Sequence, residues 1–149
     1  MYHLAQLNIG RALAPLDDLQ MDGFVRQLAE INALADESPG FVWRLQSESG
    51  DATDYRAFPD DPLMLLTLSV WEDVPSFRQF AYQSAHATVM QSRRQWFART
   101  DPPYVVLWWI PAGTLPTIEE ALTKLYQLKL NGATPNAFDV KQTFPPPSA

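Results

Sequence analysis

The sequence predicts an α+β domain, a four-stranded antiparallel sheet with helices packed on one face. Three observations predict it. Four short strand-like segments alternate with stretches of helical periodicity, in the order strand, helix, strand, strand, helix, strand, followed by one more helix. Turn residues stand at the junctions: Pro15, Pro39-Gly40, Asp101-Pro102-Pro103 and Asn131-Gly132. The 149 residues are 46% hydrophobic and 12% aromatic, enough for one core and too much for a disordered chain.

Tyr2–Ile9 reads as the first strand, with Leu7 and Ile9 on one face and Gln6 and Asn8 on the other. Asp17 or Asp18 suits a helix N-cap. Met21, Phe24, Val25, Leu28, Ile31 and Ala35 then recur at helical spacing, so the first helix covers Leu19–Ala35. Phe41–Ser47 is the second strand, and simple alternation puts Phe41, Trp43 and Leu45 on one face. Glu48–Pro62 is a polar loop holding four aspartates, without the spacing of a calcium loop. Leu63–Trp71 is the most apolar strand, and so a central one.

Asp73 and Pro75 open the second helix. Its periodicity runs toward Phe97, with a break expected near Ser84. Tyr104–Ile110 is the fourth strand, and its neighbours Trp108 and Trp109 must face opposite ways. Thr117 caps a third helix over Ile118–Leu130, with Glu119 and Glu120 in its first turn. The chain divides into a domain over 1–133 and a proline-containing tail over 134–149, whose last residues, including Pro145, Pro146 and Pro147, are expected to fray. This order is the ferredoxin-like split β-α-β arrangement. A sheet face left open by it commonly meets a copy of itself, so a homodimer is expected.

Composition excludes several function classes. Eleven basic against 17 acidic residues leave a net charge of −6, against the basic surface that nucleic acid requires. No apolar run reaches the ~20 residues of a membrane helix, and no signal peptide is visible, so a cytoplasmic location is the default expectation. The absence of cysteine removes disulfides, a thiolate nucleophile and thiolate metal ligands, and two histidines make a zinc site a poor reading. Phosphate loops, dinucleotide fingerprints and nucleophile elbows are absent.

The stretches HLAQLNI, SVWEDVPSFRQFAYQSAH, RRQWF and LWWIPAG resemble an uncharacterised family within the dimeric α+β barrel superfamily, over about residues 2 to 125. Antibiotic-biosynthesis-type and heme-degrading monooxygenases are its best-known members. The resemblance implies a small oxygenase-like fold. In the heme-degrading enzymes an Asn of the first strand, a Trp of the second helix and a later, iron-ligating His form the site. Here Asn8 matches the Asn and His86 falls near the His, while Phe80 stands where the Trp would be.

The candidate catalytic residues are therefore His86, as base or as axial ligand if heme binds, and Asn8, positioning a substrate oxygen or oxygen itself. Tyr82, His86, Val89, Arg93 and Trp96 share one helical stripe, which would line a pocket with Phe80, Trp43 and Trp71. Arg93 would hold an anionic group, because Val74–Thr100 carries four arginines and no acid. Each residue also has a plainer reading: His86 as a satisfied histidine at a helix break, the arginines in ion pairs, the tryptophans as packing anchors. Two functions are thus expected. One is a monooxygenase-like enzyme acting on an aromatic or lipophilic ligand between sheet and helices, with no cofactor or with heme. The alternative is a non-catalytic dimeric binding or stress-associated module.

Overall fold

A computed structural model describes residues 1–46, 58, 60–83, 93–99 and 101–148. Four strands, β1 (Tyr2–Arg11), β2 (Phe41–Arg44), β3 (Met64–Trp71) and β4 (Val105–Pro111), form one antiparallel sheet in the order β2-β3-β1-β4. Among the described residues three helices accompany them: α1 (Asp22–Glu37), α2 (Val74–Gln83) and α3 (Ile118–Asn131). This is the expected α+β, ferredoxin-like arrangement, with the apolar β3 and β1 at the centre.

Local chemistry explains the boundaries. The Asp18 carboxylate accepts the Gln20 N–H at 2.8 Å, opening a single 3-10 turn (Leu19–Met21) that leads into α1. Asp73 accepts from the Ser76 N–H at 2.9 Å at the start of α2, and Thr117 accepts from the Glu120 N–H at 3.0 Å at the start of α3. Gly40 connects α1 to β2 at φ +81°, and a Cβ there would sit 2.1 Å from the Ser76 hydroxyl. Only glycine satisfies both demands.

One sheet face carries Ala5, Leu7, Ile9, Leu66, Leu68, Val70, Val106, Trp108 and Ile110, which form the main core with Ala121 and Leu128 of α3. The other carries Leu4, Trp71 and Leu107, packed with Ala35 of α1 and Phe77 and Ala81 of α2. The two crossover helices thus share a face, as expected. The additional helix α3 lies on the opposite one, and the Trp108 indole N–H ties it down by donating to the Glu120 carboxylate at 3.0 Å. Leu7, Leu68, Val70 and Val106 are at most 1% exposed within the single chain. The open sheet face from which a homodimer was expected is therefore covered by the chain's own third helix.

The segment after α3 docks on the sheet as far as Phe144. Phe138 is fully buried, and its backbone exchanges hydrogen bonds with Leu107 at 2.7 and 2.9 Å along the free edge of β4. Trp109 Nε1 donates to the Phe144 carbonyl at 2.8 Å, and Arg78 donates to the Val140 carbonyl. The segment so covers an edge that would otherwise invite pairing with another strand. Pro145–Ser148 are exposed.

Candidate functional site

The face beneath α1 and α2 is laid out in rows by the strand register. Trp109, Leu4, Trp71 and Phe41 form an apolar row; Leu107, Gln6, Ser69 and Arg44 form the next; Val105, Asn8 and Thr67 form the third. Polar side chains therefore gather at the middle of an otherwise apolar sheet. Above them, α1 presents Phe24, Gln27, Leu28, Ile31 and Asn32 at helical spacing. Ala35 is the only fully buried residue of α1, because the rest of the stripe stands over a cavity of about 230 Å³ instead of a filled core.

The cavity is aromatic at both ends. At one, Trp71 stacks on Phe80 (5.1 Å between centroids, 26°) and meets Phe41 and Phe77 edge-on. At the other, Phe24 packs against Trp96 and Phe97. Between them lies the polar floor. Gln6 Nε2 donates to Ser69 Oγ at 2.7 Å and reaches toward Thr67 Oγ1 at 3.5 Å, while Trp71 Nε1 donates to the same Ser69 oxygen at 2.9 Å. Gln6 and Ser69 are 6% and 8% exposed, so these bonds form away from bulk water. At the rim Arg44 is clamped by Asp36 through Nε–Oδ1 at 2.8 Å and Nη2–Oδ2 at 3.3 Å. The Gln27 Oε1 atom is buried with no hydrogen-bond partner among the described residues. Burial, aided by Tyr104 and opposed by Arg78, holds the Tyr82 phenol above its ordinary pKa, so it stays protonated and is no base near neutral pH.

Asn8, Tyr82, Trp96, Trp71 and Phe80 all line this cavity, so five of the expected site residues come together. Trp43 does not join them. A bulge between Phe41 and Trp43 shifts the register, which sends Phe41 to the cavity and Trp43, opposite Val70, to the α3 side. His86 lies outside the described residues, as does the side chain of Arg93. Trp96 reaches the cavity from the turn after a 3-10 segment, Arg93–Gln95. Its ring lies against α1, where a Cβ on Gly23 would sit 3.1 Å away. Sequence reasoning missed Ser69, Gln27 and Arg44.

The axial ligand expected for heme, His86, lies outside the described residues. No described imidazole faces the cavity, and its volume lies below the ~300 Å³ at which pockets for drug-sized ligands begin. The arginine at its rim is already held by Asp36. Among the described residues no cluster of His, Asp or Glu could hold a metal ion, and no helix is long and apolar enough to cross a membrane.

A family profile described as a domain of unknown function (DUF3291) matches residues 3–149. No curated protein matches the chain. Solved structures share its fold at low identity. A protein of unknown function from Nitrosomonas europaea superposes with a TM-score of 0.51 at 18% identity, over 78% of this chain and 97% of its own. A candidate antibiotic biosynthesis monooxygenase of the same organism gives 0.52 at 14%, over 76% and 93%. The monooxygenase encoded by ActVA-Orf6 of Streptomyces coelicolor, solved with nanaomycin D, gives 0.50 at 15%, over 77% and 93%.

Proposed function

The chain belongs to the DUF3291 family of domains of unknown function, and from that premise we propose that it binds a small hydroxylated aromatic ligand between the sheet and α1 and oxidises it with molecular oxygen. One observation carries this reading: a cavity of about 230 Å³ with aromatic ends and a floor of neutral amides and hydroxyls, on the face that the crossover helices cover. Its volume suits about two fused rings. Trp71 and Phe80 offer stacking surfaces, and the unpartnered Gln27 Oε1 offers an acceptor for a ligand O–H. The monooxygenase fold of the S. coelicolor neighbour supports the choice of reaction.

An electron-rich ring supplies its own electrons, so the balance needs no further reductant. A quinol and O₂ give a hydroxyquinone and water, one oxygen atom entering the ring and the other leaving as water. The protein's part is to bind, orient and dehydrate. Asn8 lines the cavity in the row beside Gln6, where its amide would position a ligand oxygen or oxygen itself. Ligand entry displaces water from an aromatic-walled site and strengthens each polar contact inside it.

The test is oxygen uptake with 1,4-dihydroxynaphthalene, without added metal or cofactor and corrected for autoxidation, in the wild type and in Leu28→Trp, which fills the cavity from α1. Uptake above background with formation of the hydroxyquinone, lost in the variant, supports the reading. Binding of the quinol with no uptake favours the second reading, a non-catalytic ligand-binding module. The homodimer expected from sequence has no open sheet face to form on. Tyr126 and Leu130 of α3, 61% and 63% exposed, would offer it one apolar surface. Sedimentation of Leu130→Glu beside the wild type tests that placement.

A further inference from the structure

We infer that Ser69 determines which ligands the cavity accepts, as an obligatory hydrogen-bond donor to an oxygen acceptor on the ligand; the inference rests on the aromatic-ligand reading above. A serine hydroxyl has one proton to give and two lone pairs to receive with. Both lone pairs of Ser69 Oγ are engaged, one by Gln6 Nε2 at 2.7 Å and one by Trp71 Nε1 at 2.9 Å. The hydroxyl cannot accept from a ligand. Its own proton finds no acceptor among the described residues, although the residue is only 8% exposed and lines the cavity. A buried donor without a partner is costly, and buried polar groups in folded proteins are nearly always paired. The missing partner is supplied by whatever enters the cavity.

The neighbours make the donor role specific. Trp71 stands two residues along β3 on the same face, and its 1%-exposed indole is fixed by Phe41, Phe77 and Phe80. Its N–H therefore holds the serine oxygen from a rigid direction. Gln6 holds it from β1 across the register pair Gln6–Ser69, and Arg44 of β2 is the register partner on the other side. Ser69 Oγ is thus held by N–H donors from two sides, Gln6 and Trp71, which leaves its proton for an electron-rich oxygen. A carbonyl or phenolate oxygen attached to the ring fits. A ligand that offers only a hydrocarbon edge, or only an N–H, leaves the Ser69 proton unmatched.

The test uses two probes of one skeleton, 1-tetralone, which has the carbonyl, and tetralin, which lacks it. Dissociation constants are measured by nuclear magnetic resonance titration for wild type, Ser69→Ala and Ser69→Thr. The wild type is expected to bind the ketone about tenfold more tightly than the hydrocarbon. Ser69→Ala should weaken the ketone alone and bring the ratio close to one, and Ser69→Thr should restore it, because threonine keeps the hydroxyl. A loss of fold in Ser69→Ala would weaken both probes together and leave the ratio unchanged. Equal affinity for both probes in the wild type, or an unchanged ratio in a Ser69→Ala variant that still binds tetralin as the wild type does, overturns the assignment while leaving the aromatic site standing. If neither probe binds the wild type, the aromatic-ligand reading fails and the assignment fails with it.

Discussion

The Trp71 indole N–H donates to the Ser69 hydroxyl at 2.9 Å, along one strand and on one sheet face. Two residues apart, both side chains point into the space under α1 and α2, and the bond joins the aromatic end of the cavity to its polar floor. Trp71 is thereby a structural anchor and an orienting group at once, since its ring packs against three phenylalanines while its N–H fixes a hydroxyl.

Trp71→Phe removes that N–H and part of a 1%-exposed ring. The expected loss of stability is about 2–4 kcal/mol, from the cavity created and the lost hydrogen bond together. Urea denaturation followed by circular dichroism measures it. A loss below about 1 kcal/mol would mean that the indole is not the anchor described.

Phe138→Ala tests the docking of the C-terminal segment. Phe138 is fully buried and packs beside Trp109 and Phe144, so truncation should cost about 3–5 kcal/mol. The same denaturation experiment reads the effect. A neutral substitution would show that the segment does not hold the edge of β4 in solution.

The Tyr82 phenol sets a prediction at high pH. Burial first, and Tyr104 second, raise its pKa above the ordinary value of 10.0, with Arg78 pulling the other way. The folded protein then keeps this proton to a higher pH than the unfolded chain does. Its contribution to stability is fully present below pH 10.0 and is lost as the pH rises through the folded value. Tyr82→Phe should flatten the fall in stability above about pH 10 and remove one phase of the tyrosinate absorbance titration above about pH 10. An unchanged titration would contradict the assignment.

Much of the fold was legible in the chain, and the exceptions have physical causes. The Thr117 cap and the apolar run of β3 are local signals that lie where sequence placed them; of the two aspartates offered as the first cap, Asp18 caps a 3-10 turn, and α1 starts three residues later than its periodicity suggested, at Asp22. The face of Trp43 was not legible, because one bulged residue after Phe41 inverts an alternation that the sequence shows as regular. The side of the sheet taken by α3 was not legible either. Its apolar stripe fits whichever face the Pro111–Thr117 connection delivers it to. Of the residues that line the cavity, Asn8, Trp71 and Phe80 stood out in the sequence as polar or aromatic residues on a strand or helix face. Ser69 was missed because a serine within LTLSVW reads as an interruption of an apolar strand. Its signal was its spacing of two from Trp71, which puts both on one face. Phe138 sits in a polar, proline-containing stretch without periodicity, and only the edge of β4 shows what it pairs with.

The most direct test of the central claim uses the five tryptophans as built-in reporters. Trp71 and Trp96 line the cavity, Trp43 and Trp108 lie on the opposite face, and Trp109 is held by the Phe144 carbonyl. The indole N–H resonances, assigned by single Trp→Phe substitutions, are recorded while 1-naphthol is added. A ligand between the sheet and α1 shifts Trp71 and Trp96 and leaves Trp43 and Trp108 in place. Shifts centred on Trp43 and Trp108, or no shift at Trp71 and Trp96 at saturation, would contradict it.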